Sequence, residues 1–521
     1  MNEKKKTRMD PIFIALIAII LSLIAYTVYQ ANEANKYWLK RGIPHRKPML
    51  FFGNSGKHVL MRQHFTENLL EVLKDFPHEP AVGFYDLTRP ILIVKDIDLV
   101  EKILVKDFQQ FMDRGFPLDK RNAIDISLFT MSGKEWRALR YKLSPLFSTT
   151  KLKTMYGSMA ECSQSLTSIL DQIQEKEDID LKEYLGRFAM DVIGSCAYGI
   201  DAKNLSEPDN EFRKMGKKSF EPDRLQMLKF AIIMCAPKLA KLLRISLAKT
   251  DVTDYFCKII RDTIDYRKKN DIIRNDFLQM FMNLKDEGNL ELRIKDPEDE
   301  YLQTEVSYSV ENIEFTDDMM IGNAFQFLQA GFEATAAISL LTLYELSKNM
   351  EIQKKARLEI VINVEEAGGM LTYDALRKMT YLEQCIKETF RVYPPVAGLN
   401  RLCNKDYLLP NGYKIQAGEL VMIPVAAVHN DPKIYPEPEK FRPERFDPDQ
   451  KIPSCAFLPF GNGPRICIAM RFALLEIKHC IAKLLMNHEY KLSPNSKPFR
   501  LDKKSFFMIP ADPLLFNIRQ I

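Results

Sequence analysis

The sequence predicts one large unit built mainly of helices, with a few short strands. Three observations carry this reading. A stretch from Thr316 to Asn349 is apolar on nearly every side, as a helix through a large core should be. It would run about 50 Å at ~1.5 Å per residue. After Cys467, apolar residues recur at helical spacing behind a loop of two glycines and a proline. Gly83–Val94 and Leu408–Val428 read as short strands joined by turns. No Pro/Gly/Ser-rich linker follows residue 50, so residues 51–521 are read as one domain.

Composition narrows the partners. A net charge of +5 over 521 residues is mild, and no long basic run interleaved with aromatics suggests nucleic acid. Nine scattered cysteines, an odd number, suit a reduced, cytosol-facing protein rather than a disulfide framework.

Taken in order, Lys4, Lys5, Lys6 and Arg8 precede an uncharged apolar run from Pro11 to Tyr29. That length suits one membrane-spanning helix, which needs ~20 residues. A cleaved signal peptide would have a shorter core and a better cleavage site than Ala31-Asn32-Glu33-Ala34. Residues 1–30 are therefore read as an anchor, and 31–50 as a stiff basic hinge holding Gly42-Ile43-Pro44-His45-Arg46-Lys47-Pro48. Asp98–Leu104 begins a helix. Asp107–Gly133 is irregular but holds Phe116, Ile126, Leu128 and Phe129, and such loops cover a core or line a site.

Trp136 and Arg140 share one face of the next helix. Residues 227–248 join an apolar stretch to basic flanks, which suits a dip into a membrane interface or a buried helix end. Lys285–Glu314 reads as a solvated acidic loop. Within the central helix, Ala330-Gly331-Phe332-Glu333-Ala334-Thr335 places a glycine and a buried acid where neither is expected without a reason. Glu388 and Arg391 lie one turn apart on a helix that stops before Pro394-Pro395.

The most informative stretch is Phe460-Gly461-Asn462-Gly463-Pro464-Arg465-Ile466-Cys467-Ile468-Ala469. Cys467 sits where a loop feeds a helix N-terminus, whose dipole and free N–H groups stabilise a thiolate. No second cysteine stands three residues away, so neither a zinc knuckle nor a redox dithiol fits. One thiolate beside Arg465 suits a large anionic cofactor held through a single axial sulfur, and haem is such a cofactor. An inert buried cysteine is the bland alternative.

This stretch resembles the cysteine loop of the cytochrome P-450 haem-thiolate monooxygenases, with Ala469 in place of the last glycine of the motif. The resemblance covers nearly the whole chain and lies closest to the microsomal clan of arthropod detoxification and vertebrate drug-oxidising enzymes. It implies a mainly α fold with small β-sheets, and haem b (iron protoporphyrin IX) between the central helix and the cysteine loop. Cys467 would be the iron ligand, with Phe460 and Gly461 beside the cofactor. Trp136, Arg140, Arg401 and Arg465 would bind its propionates.

By the same resemblance, Glu388, Arg391 and Arg445 (from Pro443-Glu444-Arg445-Phe446) form a buried structural triad. His429 would contact a propionate or cap the local backbone. Phe116, Phe129, Phe327, Ala330, Val396, Leu399 and Phe507 would line the substrate pocket. Glu333 and Thr335 would serve catalysis. The family's oxygen-side threonine is replaced by Ala334, and Thr335 lies about 100° further round the helix. It could take the same position only with local unwinding.

The implied reaction inserts one atom of O2 into an apolar small molecule. No Gly-x-Gly-x-x-Gly follows a strand, so electrons should come from NADPH through a separate flavoprotein reductase, with cytochrome b5 as a further donor. Arg137, Lys142 and Lys478 are candidate docking cations. The implied location is the endoplasmic reticulum membrane, with the catalytic domain in the cytosol. Two other readings stay open: a haem-thiolate isomerase or dehydratase acting on a peroxide, and a non-catalytic haem protein.

Overall fold

The computed structural model describes residues 11–115, 122–173, 176–221, 223–235, 240, 242–243, 245, 249–286, 288–290 and 313–521. Its axis is the central helix, Asp317–Lys348, 32 residues long. Thr316 caps it by accepting a hydrogen bond from the Met319 N–H, and Asp317 and Asp318 occupy its first turn, facing the positive end of the dipole. By length and composition it could itself cross a membrane, yet 61% of its apolar window is buried in protein. Its all-round hydrophobicity is that of a core helix, as the sequence predicts.

Two glycines let other chain segments approach this helix. A Cβ on Gly331 would lie 2.6 Å from Ile193 Cδ1, on the helix Leu181–Ile193. A Cβ on Gly322 would lie 2.3 Å from the carbonyl oxygens of Ala123 and Ile126. The irregular segment after residue 121 is thus pressed against the central helix, and Asn323 Oδ1 accepts the Leu128 N–H at 2.9 Å. Phe116 lies outside the described residues.

The main sheet runs in the order Ala81–Asp86, Arg89–Val94, Leu420–Pro424, Gly398–Leu402. Only the middle pairing is parallel. A second sheet joins His488–Leu492, Leu515–Gln520 and Ile179–Asp180. The expected helix near Asp98 is present as Ile97–Glu101, continued by a π-helical turn, Lys102–Lys106.

Pro11–Ala34 is helical. The stretch after it is seated on the main sheet. Trp38 is buried, its indole N–H donates to the Phe84 carbonyl at 3.0 Å, and its ring fills the space a Cβ on Gly83 would need. Tyr37 and Arg41 both engage Glu419. Of the stretch 227–248, Leu228, Leu242 and Leu243 stand exposed, while Ala240 is buried and Ile232 and Ile233 are partly buried. Most of the predicted solvated loop, residues 291–312, lies outside the described residues. Among the described residues, eight cysteines are free thiols.

Candidate functional site

The loop before Cys467 is built by its glycines. Gly461 (φ 76°) and Gly463 (φ 71°) take left-handed conformations that a side chain would strain. A Cβ on Gly463 would fall 2.0 Å from the Leu104 carbonyl oxygen. Asn462 accepts the Gly463 N–H, and the Cys467 N–H closes the loop onto the Phe460 carbonyl at 2.9 Å. Cys467 then stands just ahead of the helix Met470–Asn487. Burial pushes its thiol up; the Ala469 N–H and the charges of Arg140 and Arg114 pull it back toward thiolate. Cys467 keeps part of its surface accessible, and so do Phe460, Gly461, Val396 and Leu399. On the central helix Ala330 is exposed although it sits mid-helix in the core, which marks an internal space.

Around this space the chain gathers arginines. Arg465 is buried and donates to the carbonyls of Met112 (3.0 Å), Leu128 (3.2 Å) and Met131 (2.8 Å). Its guanidinium lies 3.9 Å from the Trp136 ring centre, so Trp136 meets Arg465 as a cation–π partner. Arg401 is 2% exposed and donates to the Asn400 carbonyl, and its Nε has no partner among the described residues. Arg114 donates to the Phe129 carbonyl and stacks 4.3 Å over its ring. Burial is the main cause that lowers all three, Arg114 to about 10, Arg401 to about 9 and Arg465 to about 7. Repulsion among them and Arg140 adds to it. A guanidinium does not give up its proton in a protein, so cations held in such surroundings call for negative partners. Asp113, 3.7 Å from Arg465, is a distant counterion.

A thiol just ahead of a helix and a cluster of arginines charge-coupled to it and to one another fit a cofactor with one metal-ligand position and acidic arms. Trp136, Arg140, Arg401, Arg465, Phe460, Gly461 and Cys467 are all brought to this region. Arg114 is missed by the sequence reading. Its only signal is an arginine at the start of an irregular apolar segment, which is too common to single out.

The triad is assembled. Arg391 grips Glu388 with two bonds, Nε to Oε2 at 2.8 Å and Nη2 to Oε1 at 2.9 Å, both side chains fully buried. Arg445 Nε adds a contact at 3.3 Å. His429 is the capping residue and not a propionate contact. Its Nε2 accepts the Leu458 N–H at 2.7 Å, so Nδ1 carries the proton and donates to the Arg391 carbonyl at 3.2 Å. With both nitrogens used, it ties the triad to the cysteine loop, and burial holds its pKa down to about 3.

Other expectations are altered. Phe327 is packed among Phe147, Phe277 and Phe281, with ring centres 5.2–5.5 Å away, and so belongs to the aromatic core rather than the pocket. Lys478 is 7% exposed and paired to Glu383 at 3.0 Å, so it is no docking cation. Phe507 is half-buried and reaches the central helix through Phe220 and Phe332. Burial raises the Glu333 carboxyl, while Lys182, Arg213 and Lys217 pull it back. The central helix does not unwind, so Thr335 is turned off the Ala330 face and bonds Gly331 O (2.5 Å), Phe332 O (3.2 Å) and Glu476 Oε1 (3.1 Å).

The family model for cytochrome P450 matches residues 43–518. The chain is 35% identical to probable cytochrome P450 6a14 of Drosophila melanogaster, over 98% of this chain and 99% of that protein. It is 36% identical to cytochrome P450 6a2 of the same species, over 91% and 92%. To cytochrome P450 6k1 of Blattella germanica it is 34% identical, over 96% of each.

Proposed function

The chain belongs to the cytochrome P450 family, and we propose that it is a membrane-anchored haem-thiolate monooxygenase acting on an apolar small molecule with electrons from NADPH. The family implies a haem cofactor, a redox partner, a small-molecule substrate and O2. The observation that carries the finer reading is the Cys467 thiol held within the field of the arginine cluster. Haem b, when bound, would supply the redox chemistry that cleaves dioxygen, and a sulfur ligand from Cys467 would favour that cleavage.

The chain's own residues set the conditions for that chemistry. Cys467 offers the sulfur; burial raises its thiol, and the Ala469 N–H, Arg140 and Arg114 oppose that rise. Arg114, Arg140, Arg401 and Arg465 would hold its acidic arms, and the Arg401 Nε is a donor available to one of them. Ala330, Val396, Leu399 and Phe507 present apolar surface that excludes water and admits an apolar substrate. Glu333 retains a proton on its carboxyl longer than an exposed acid would, and is the acid of this helix segment suited to passing one on.

Residues 1–30 serve as the anchor and 51–521 as the catalytic domain, facing the cytosol at the endoplasmic reticulum. The exposed Leu228, Leu242 and Leu243 are consistent with a membrane surface. A separate flavoprotein reductase, with cytochrome b5 as a further donor, supplies electrons. Ala334 favours a second reading, an isomerase or dehydratase acting on a peroxide. Product formation that requires NADPH and reductase supports the first reading, and turnover of a hydroperoxide without either supports the second. The primary test is the spectrum of the dithionite-reduced protein with carbon monoxide. A strongly red-shifted Soret band in wild type, lost in Cys467→Ala, is expected. A band at the histidine-haem position, or no haem, overturns the proposal.

A further inference from the structure

A carboxyl that no part of the reaction calls for lies beneath the central helix. Glu476, on the helix that follows Cys467, is 1% exposed. Its neighbours in charge terms are Cys162, Cys196 and Cys480, and among the described residues its Oε2 has no partner. Among the described residues, its side chain's one hydrogen bond joins Oε1 to Thr335 Oγ1 at 3.1 Å.

The proton count at Thr335 is decisive. Three oxygens surround Oγ1: the Gly331 carbonyl at 2.5 Å, the Phe332 carbonyl at 3.2 Å and Glu476 at 3.1 Å. A hydroxyl has one hydrogen, and carbonyls only accept. At 2.5 Å the Gly331 carbonyl must receive that hydrogen, because two bare oxygens so close would repel. The proton in the Glu476 contact therefore comes from Glu476. An ionised carboxylate would set two acceptors against each other and leave Oε2 charged in a pocket of thiols.

We infer that Glu476 is a neutral carboxylic acid that positions the central helix, donating to Thr335, which in turn holds the Gly331 carbonyl. Burial independently raises this carboxyl well above its usual range, with only Thr335 opposing. The clamp links the helix that follows Cys467 to the Ala330–Ala334 segment. Gly331 is the residue through which the segment meets Ile193. The device keeps the segment helical and commits its hydroxyl away from the Ala330 face. Glu333 is then left as the segment's acid on the reaction side. This last consequence rests on the haem-site reading; the proton assignment does not.

The test is infrared difference spectroscopy on the full chain, comparing wild type, Glu476→Gln, Thr335→Val and Thr335→Ser. The expected result is a protonated-carboxyl C=O band that shifts in D2O, is absent in Glu476→Gln, and moves to higher frequency in Thr335→Val. It should return to its wild-type position in Thr335→Ser, which restores the acceptor. Absence of the band in wild type, or a band unmoved by Thr335→Val, overturns the inference.

In the carbon monoxide complex, the ligand's stretching frequency should shift in Thr335→Val. It should stay near the wild-type value in Glu476→Gln, whose amide can still donate. The same value in all four proteins would refute the positioning role. If the protein proves to hold no haem, the haem-site reading fails while the carboxyl band still tests Glu476.

Discussion

Replacing Gly322 with alanine probes the seam between the central helix and the segment that follows residue 121. In an isolated helix the change would stabilise by about 1 kcal/mol. Here the new Cβ would stand 2.3 Å from two backbone carbonyl oxygens, Ala123 and Ile126, and backbone cannot rotate aside as a side chain does. The segment must lift, which breaks the Leu128 N–H bond to Asn323 and strains the Arg465 bond to the Leu128 carbonyl. These are worth about 1 and about 1.5–3 kcal/mol. The net loss is about 1.5–3 kcal/mol, so the Leu128 amide should exchange with solvent roughly 10- to 160-fold faster. Holoprotein yield should fall with it, because Arg465 loses an anchor.

Gly331→Ala is the control. Its Cβ meets the terminal methyl of Ile193, a flexible side chain, so overpacking of ~1–3 kcal/mol is partly offset by helix propensity. Leu128 exchange unchanged in Gly322→Ala, or slowed, would refute the close-packing argument.

Arg391→Lys should sharply reduce folded holoprotein, because one ammonium cannot replace two bonds to a fully buried Glu388. Unpairing a buried charge costs about 3–5 kcal/mol, and urea denaturation of whatever folds measures it. Trp38→Ala should destabilise by about 3–5 kcal/mol in the same assay, by emptying the space against Gly83. Lys478→Ala should leave the salt dependence of reductase binding unchanged, since its ammonium is held by Glu383. Stability should fall as pH drops from about 6.5. His429 is held to about 3, and His64 and His479 to about 4, so the unfolded chain takes up their protons first. His429→Asn should flatten the slope toward pH 3 by about one proton, ~1.4 kcal/mol per pH unit. An unchanged slope would remove His429 from that balance.

Sequence alone determined those parts of the protein whose chemistry is local. The cysteine loop is legible because its glycines, proline and cysteine are neighbours, and their conformations follow from their own sterics. The central helix is legible because its cap, length and apolarity are all contained in one stretch. The triad is legible as two matched motifs, which the fold then closes with bonds.

Tertiary structure decided which way side chains face where the helix is apolar all round. Periodicity gives such a helix no preferred face, so Phe327 could be read as pocket when it is core, and the partner of Thr335 could not be read at all. Charge behaves the same way. A lysine in a sequence looks solvated until a distant acid buries it, as Glu383 does for Lys478. The role of Arg114 arises only when segments far apart in sequence bring four guanidinium groups into one low-dielectric space. Those properties belong to distances between segments, which a linear sequence does not contain.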